Sequence, residues 1–346
     1  MSNATIKDIA KELNLGKSTV SRILNHKGYY SKEAEQKVME YVEKTGFVYN
    51  KNAKSLKTSK SYAVGLMIPD ITNPFFSQAA KMIDVFFSDQ GYSIYITNSF
   101  SDVNKEKEIF SNFASNQVDG IICCGFGTKI PSSFSMYQIP VVSFDREFHS
   151  SIPAVKICSD NYDMGYKLIE MLHDRGCRKI LLVFLSGFHD VLENFSSVHG
   201  KKNSIFDGIV DGYRQIYNTD SPSPVLIPGD RNTDIEFQKN ALREIIGSDP
   251  DFDGILCVND TLAYCCIEVL KEMGARIPED VKVIGFDNTV YSTISVPQIT
   301  TVDRNLNEMI EVACNKLLKM INKEEEIRDE TVFIKEQLII RGSTDS

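Results

Sequence analysis

Two patterns of apolar spacing divide the chain. Near the start, Ile6, Ile9, Ala10 and Leu13 recur at the spacing of one buried helical face. From Tyr62 onward, short apolar runs that predict strands alternate with amphipathic stretches that predict helices. The predicted strands are 62–68, 92–97, 118–124, 139–144, 178–185, 252–258 and 281–286, and the predicted helices are 74–90, 104–115, 162–175, 205–217, 235–246, 260–273 and 305–322. This alternation predicts an α/β fold with parallel sheets covered on both faces.

The first fifty residues predict three short helices. Thr5 stands at the N-cap position of the first helix. The apolar spacing is interrupted at residues 14–16, which end in Gly16, before the second helix begins. Ser31 caps a third helix that runs to about Lys44 and ends at Gly46. Two short helices joined by a tight turn with glycine predict a helix-turn-helix, although a helical hairpin with a solvated face is the alternative. The second helix presents a polar face suited to a DNA major groove, formed by Lys17, Ser18, Ser21, Arg22 and Asn25.

The charge distribution supports a nucleic-acid partner for this segment alone. Residues 1–60 carry 12 Lys and Arg against 6 Asp and Glu, a net charge of +6. The remainder carries 26 against 41, a net charge of −15. A small basic module on a large acidic body is typical of a protein that contacts DNA through one end.

A lysine-rich linker, NKNAKSLKTSKS, covers residues 50–61 and contains a single large apolar residue, Leu56. One interpretation is a solvated tether. The other is a short helix that forms on DNA, with its lysines on phosphates and Leu56 inserted into a minor-groove base step. The spacing alone leaves both open.

The acidic body contains an internal repeat. VDGIICC at 118–124 is echoed by FDGILCV at 252–258, and VVSFDR at 141–146 by VIGFDN at 283–288. The body is therefore predicted to be one α/β unit repeated, with a cleft between the two copies. Polar residues follow the apolar runs at corresponding places: Asp70 with Asn73, Asp145 with Arg146, Asn259 with Asp260, and Asp287 with Asn288.

Ligands bind outside the carboxyl ends of strands in open α/β sheets, so these polar residues predict a site in the cleft. Carboxylates and amides beside Phe75 and Phe76 suit a polyhydroxylated ligand. The alternative is that Asp and Asn at strand ends serve only as turn and helix-cap residues.

The order of several motifs resembles one known family. ATIKDIAKELNL…STVSRILN, AKSLK, PDITNPFF, DGII, FDR, DNYDMG, VND and IGFDN occur in the order typical of the lactose/galactose-repressor (LacI/GalR) family. The resemblance covers residues from about 4 to about 340. It implies a sequence-specific transcriptional regulator, expected to be a repressor, that binds a pseudopalindromic operator as a homodimer. It also implies control by a small-molecule effector, a sugar or sugar derivative, in a periplasmic-binding-protein-like body with three crossovers.

The resemblance also implies roles for particular residues. Lys17, Ser18 and Arg22 are expected to read bases, and Leu56 to intercalate. The full set expected on DNA is Thr5, Lys17, Ser18, Thr19, Ser21, Arg22, Asn25, Asn50, Ala53, Lys54 and Leu56. The set expected on the effector is Asp70, Asn73, Phe75, Phe76, Asp145, Arg146, Asp160, Asn259, Asp287 and Arg304.

The implied organisation is a DNA-binding domain at 1–49, a hinge at 50–60 and an effector-binding and dimerisation body at 61–346. The body divides into an N-subdomain, about 61–161 and 303–330, and a C-subdomain, about 162–302 and 331–346. The chain ends shortly after the final strand that the resemblance implies, without a heptad tail, which favours a dimer over a tetramer.

Three departures from the family pattern concern the hinge and the cleft. Tyr49 stands where the family usually has proline, which removes a fixed φ before the hinge. Ile209 stands where the family commonly has an arginine that grips sugar hydroxyls. The segment 187–212 is about a dozen residues longer than usual, so residues 189–203 form either a lid that supplies a replacement donor or a solvated insertion.

Other classes of protein are disfavoured. No phosphate-binding glycine loop, GxSxG or HExxH motif is present, so we expect neither an enzyme nor a cofactor. Eight cysteines without a CxxC pair predict reduced core thiols and no metal site. With no signal peptide and no apolar run long enough for a membrane, we expect a cytoplasmic protein. The alternative function is a carbohydrate-binding or carbohydrate-modifying protein with an idle DNA module.

Overall fold

The structure is a computed structural model in which the chain forms two compact units, Met1–Ser61 and Tyr62–Ser346. It describes residues 5–24, 28–47, 60–124, 132–145, 152–159, 162–185, 205–218, 225–227, 234–248 and 251–345.

Three helices form the N-terminal unit: α1 (Ile6–Glu12), α2 (Lys17–Leu24) and α3 (Lys32–Thr45). Thr5 and Asp8 form a capping box at the start of α1. The Ser31 hydroxyl accepts the Ala34 N–H at 3.2 Å, and Gly46 ends α3 in the left-handed conformation at φ 63°. The predicted caps are therefore confirmed. The apolar sides of the helices close a small core of Ile9, Ala10, Val20, Ile23, Ala34 and Val38.

The body alternates strands and helices. Its strands are β1 (Ala63–Ile68), β2 (Ser93–Asn98), β3 (Gly120–Cys123), β4 (Val141–Asp145), β5 (Val155–Ser159), β6 (Ile180–Leu185), β7 (Val225–Ile227), β8 (Gly254–Cys257), β9 (Lys282–Phe286), β10 (Thr300–Asp303), β11 (Glu330–Ile334) and β12 (Gln337–Ile339). Its helices are α4 (Pro74–Asp89), α5 (Val103–Ser115), α6 (Tyr162–Asp174), α7 (Ile205–Tyr217), α8 (Ile235–Ser248), α9 (Asp260–Glu272), α10 (Val290–Ile294) and α11 (Leu306–Ile321), and a 3-10 helix covers Ser132–Tyr137.

Two six-stranded sheets form the body. The first has the order β11-β5-β4-β3-β1-β2 and the second the order β12-β10-β9-β8-β6-β7. All their pairings are parallel except β10 with β12, which is antiparallel. The chain passes between the sheets after β5, after β10 and after β11, which gives three crossovers. The predicted α/β fold with parallel sheets is therefore confirmed.

Apolar clusters cover both faces of each sheet, as parallel sheets require. On the first sheet, one cluster packs α4 and α11 and the other packs α5. On the second, one cluster packs α8 and α9 and the other packs α6 and α7. This arrangement leaves the ends of the sheets as the places where polar side chains can gather.

One expected boundary differs from the structure. The C-subdomain was expected to resume at about residue 331, but β11 pairs in parallel with β5 of the first sheet, from Glu330 with Val155 to Ile334 with Ser159. The third crossover therefore follows Ile334. The sequence gives no linker signal that would place this crossover, because only Lys335 and Glu336 separate β11 from β12.

Candidate DNA-binding face and effector cleft

The polar face predicted for α2 is open to solvent in the N-terminal unit. Lys17, Ser18 and Arg22 are exposed, and Thr19 and Ser21 are half-buried. The opposite side of α2 buries Val20 and Ile23 completely. Packing therefore fixes the orientation of α2 within its unit and leaves the hydroxyl and basic groups available to a partner.

Arg22 is held against its own unit rather than extended. Its Nε donates to the Ser18 carbonyl at 3.2 Å, and its Nη1 donates to the Tyr29 carbonyl at 3.3 Å. A base contact by Arg22 must compete with these two hydrogen bonds.

In the body, a buried arginine joins the carboxyl ends of the two sheets. Arg304 follows β10, and its guanidinium pairs with Asp145 at the end of β4 and with Asp287 just after β9, at 3.2 Å. Its Nε lies 3.8 Å from Oε1 of Glu336, on the third crossover. These four side chains, hereafter the Arg304 cluster, bring together three residues predicted for the effector cleft.

The Arg304 cluster is almost free of solvent. The side chains of Asp145, Asp287, Arg304 and Glu336 are 3%, 7%, 8% and 1% exposed. Burial lowers the pKa of the Arg304 guanidinium, and the Glu336 carboxylate acts in the opposite direction. An arginine stays protonated even so.

Two aromatic rings also contact this guanidinium. The Arg304 Cζ lies 4.7 Å from the centroid of Phe75, at the start of α4, and 5.5 Å from that of Phe286, at the end of β9. Cations over ring faces are favoured, more so where water is excluded. Phe76 packs edge-on against Phe75, with ring centroids 5.3 Å apart. This contact supports the Phe75 ring and does not reach the Arg304 cluster.

Three other predicted residues make hydrogen bonds of the turn and cap kind. The Asn73 side chain accepts the Phe75 N–H at the start of α4, and the Asn259 side chain accepts the Leu262 N–H at the start of α9, both at 2.9 Å. Asp70 accepts the Thr72 N–H at 2.9 Å. These contacts fit the cap interpretation and leave the predicted effector contacts untested.

Comparisons with known proteins identify the family. The sequence profile of bacterial regulatory proteins of the lacI family matches residues 5–50, and that of the periplasmic binding protein-like domain matches residues 169–344. A ribose operon repressor from Halalkalibacterium halodurans is 30% identical over 92% of this chain and 91% of that protein. The chain belongs to the LacI family. The resemblance seen in the sequence is thereby confirmed, and the protein is a DNA-binding transcriptional repressor and not an enzyme.

Solved structures agree with this LacI-family assignment. A periplasmic binding protein/LacI transcriptional regulator from Alkaliphilus metalliredigens, complexed with D-xylulofuranose, is 28% identical, with a TM-score of 0.66 over 82% of this chain and all of that one. The lac repressor dimer bound to operator and an anti-inducer is 18% identical, with a TM-score of 0.74 over 99% of both chains, and therefore shows the fold alone.

Ile209 shows how this LacI-family body differs at α7. It is 2% exposed and belongs to the core that α7 shares with α6. A side chain on Gly165 of α6 or Gly208 of α7 would collide with the backbone of the other helix. This close packing places the side chain of residue 209 in an apolar core, so no cation is supplied from that position.

Several predictions lie outside the described residues. They concern Asn25, Asn50, Ala53, Lys54, Leu56, Arg146 and Asp160, together with the segment 189–203. Among the residues that the structure does describe, no helix is both long and apolar enough to cross a membrane, and no group of His, Cys, Asp and Glu is arranged to hold a metal ion. All eight cysteines are buried and unpaired by disulfides, as expected for core thiols.

Sequence reasoning missed two members of this cleft. Glu336 lies on a two-residue link between strands that were not predicted, so nothing placed it beside Arg304. Cys124, taken as a core thiol, donates its S–H to Oδ2 of Asp145 at 3.3 Å. Its position directly after β3 was the available signal, since residues there reach the carboxyl end of the sheet.

Proposed function

We propose that this LacI-family chain is a cytoplasmic repressor that binds a pseudopalindromic operator as a homodimer, under the control of a neutral, sugar-like effector in the body cleft. The observation that carries the proposal is the Arg304 cluster, because it draws side chains from the ends of both sheets to one point. A ligand there touches both subdomains and therefore favours one relative arrangement of them. The expected coupling to DNA affinity is ~1–3 kcal/mol.

The chemistry of the cluster suits hydroxyl groups. The carboxylates of Asp145 and Asp287 accept hydrogen bonds, Arg304 donates them, and the ring of Phe75 offers an apolar face beside them. Two similar proteins support a sugar: one is a ribose operon repressor and the other is complexed with D-xylulofuranose. The predicted contacts from Asp70, Asn73, Phe76, Arg146, Asp160 and Asn259 remain part of the proposal.

The charge of the cluster favours a neutral effector over an anionic one. Among the described residues, the carboxylates of Asp145, Asp287 and Glu336 lie around the guanidinium of Arg304, and all four groups are buried. A phosphate or carboxylate brought into this cleft would meet like charges at low dielectric, where repulsion is strongest.

The homodimer is supported by apolar surface on the body. β2 is an edge strand of the first sheet, and its Tyr95 and Ile96 are 50% and 45% exposed. On the second subdomain, Val290, Ile294 and Val296 are 55%, 59% and 70% exposed. An uncovered apolar edge strand promotes aggregation, so natural proteins usually cover it. A second copy of this chain is the occupant we propose for both surfaces.

The DNA contacts are proposed from the exposed face of α2. In this proposal Lys17, Ser18 and Arg22 read bases, and Thr5, Thr19, Ser21 and Asn25 contact mainly phosphates. Residues 50–60 act as the hinge, with Asn50, Ala53 and Lys54 on the backbone and Leu56 in the minor groove. Two such modules in a dimer fix two half-sites about one helical turn, or a multiple, apart.

Thermal unfolding of the full chain with sugars tests the effector assignment. We expect D-ribose or D-xylulose to raise the unfolding midpoint, with about 2.7 kcal/mol of added stability at a concentration 100 times Kd. Ribose 5-phosphate should raise it less, because its phosphate enters an acidic cleft. Stronger stabilisation by the phosphate than by either neutral sugar would contradict the proposed effector class.

A further inference from the structure

The turn that carries Asp287 has an unfavourable backbone conformation. Asp287 and Asn288 both have positive φ, at 98° and 50°. Residues with a Cβ rarely adopt such values, and they persist only where the surroundings hold them in place. Asp287 is the member of the Arg304 cluster that belongs to the second sheet, so whatever holds this turn also sets the geometry of the cleft.

Hydrogen bonds to β10 and to the C-terminal segment hold the turn in part. The Asn288 N–H donates to Oγ1 of Thr301 at 3.3 Å, and its side-chain amide donates to Oδ2 of Asp303 at 2.9 Å. Nη2 of Arg341 donates to Oδ1 of Asn288 at 2.8 Å. Every polar group of the Asn288 side chain is therefore engaged.

A buried carboxylate connects this turn to α9. Oδ2 of Asp260 accepts the Thr289 N–H at 2.5 Å and the Thr289 hydroxyl at 3.0 Å, and Oδ1 accepts the Thr301 hydroxyl at 2.6 Å. Asp260 is fully buried at the first position of α9, directly after Asn259. Gly285 makes room for it, since a Cβ there would collide with Oδ1 of Asp260.

We propose that Asp260 is a positioning residue of the effector cleft: through Thr289 and Thr301 it holds Asn259, Asp287 and Arg304 in one arrangement. Asn259 precedes it in the chain, the Asp287 turn ends at Thr289, and Arg304 follows Thr301 by three residues. Asp260 itself touches no effector. This inference rests on the proposed function, because those three residues matter together only if an effector binds in the cleft.

The ionisation of Asp260 gives the proposal a distinctive signature. Burial raises the pKa of Asp260 to about 6, although the hydrogen bonds from Thr301 and Thr289 and the charge of Arg341 act to lower it. Among the described residues, the buried thiol of Cys257 is another titratable group close to it. Because its pKa is higher in the folded than in the unfolded chain, Asp260 favours folding at low pH, and this contribution is lost as pH rises through 6. At neutral pH an ionised Asp260 is therefore unfavourable for stability, as expected of a group retained for function.

Hydrogen exchange tests the positioning without any effector. We expect Thr301→Val, which keeps the side-chain shape but removes the hydroxyl, to speed exchange in a peptide covering 285–290 about tenfold. Ser343→Ala is the matched control: its hydroxyl is buried and bonded to Val283 and to the Thr300 N–H, away from Asp260. Exchange in this peptide should be unchanged in Ser343→Ala and restored in Thr301→Ser. Equal exchange in all three variants would overturn the proposal.

Sugar affinity and thermal unfolding of Asp260→Asn complete the test. This variant imitates the protonated carboxyl, so at pH 7.5 we expect roughly tenfold weaker binding of D-ribose or D-xylulose and an unfolding midpoint no lower than that of the wild type. Wild-type affinity should fall between pH 7.5 and pH 5.2 more than that of the variant. A lower midpoint with unchanged affinity would show a merely structural role. If the wild type binds neither sugar, the proposed effector fails. Hydrogen exchange of the same peptide in Asp260→Asn, which keeps the bond from the Asn288 N–H to Thr301, still decides the role of Asp260: we expect faster exchange, and unchanged exchange would overturn the proposal.

Discussion

Arg304→Met is expected to lower the free energy of unfolding at pH 7.5 by about 3–5 kcal/mol, because it leaves the carboxylates of Asp145, Asp287 and Glu336 buried beside an apolar side chain. Methionine preserves most of the side-chain volume, so the loss reports the charge rather than a cavity. The deficit should shrink as pH falls towards 5, since protonated carboxyls no longer repel one another. Denaturant unfolding at several pH values measures both effects.

Arg276→Met is the matched control for that experiment. Arg276 pairs with Asp280 in the same body, but its side chain is 71% exposed. An exposed ion pair is screened by solvent, so its loss should change stability little and with weak pH dependence. Equal deficits in the two variants, or a pH-independent loss in Arg304→Met, would contradict the assignment of Arg304 as the charge that balances the cleft.

Arg22→Ala is expected to weaken binding to a preferred operator by roughly 1–3 kcal/mol while barely changing binding to random DNA, because a bidentate arginine–guanine contact discriminates between bases. The salt dependence of binding should change little, since base contacts release few counterions. Titration of both duplexes at two salt concentrations measures these quantities.

Lys44→Ala provides the comparison, since it removes one exposed positive charge from the same unit, at the end of α3 rather than on α2. Any effect of this variant should be equal on operator and random DNA. Circular dichroism of Arg22→Ala separates a folding defect from lost recognition, because Arg22 also bonds the carbonyls of Ser18 and Tyr29. Equal losses on operator and random DNA by Arg22→Ala would show that Arg22 reads no base.

Most of the helices could be predicted because their apolar spacing and caps are local signals. Ser31 and Gly46 mark the ends of α3, and Asn73 with Pro74 marks the start of α4. The strands that were missed are short or lie at or near sheet edges: β5, β7, β10, β11 and β12. In β11 the exposed face interrupts the apolar run, so composition identifies such a strand poorly.

The site was predictable only in part for a different reason. Asp145, Asp287 and Arg304 could be proposed from their places after strands and from the family resemblance. Their mutual pairing depends on which strands become neighbours, since Asp145 and Arg304 are 159 residues apart. Glu336 and the bonds of Asp260 to Thr289 and Thr301 depend on the same tertiary arrangement, and no local spacing encodes them.

Selection of the purified full chain on a pool of random duplexes, with and without D-ribose and D-xylulose, tests the central claim most directly. The account predicts recovery of a pseudopalindrome whose half-sites are spaced for a dimer, with an affinity that changes by about 5–150-fold when the effector is present. Recovery of no preferred sequence under any of these conditions would contradict a sequence-specific, effector-controlled repressor. A preferred site without two-fold symmetry would contradict the homodimer.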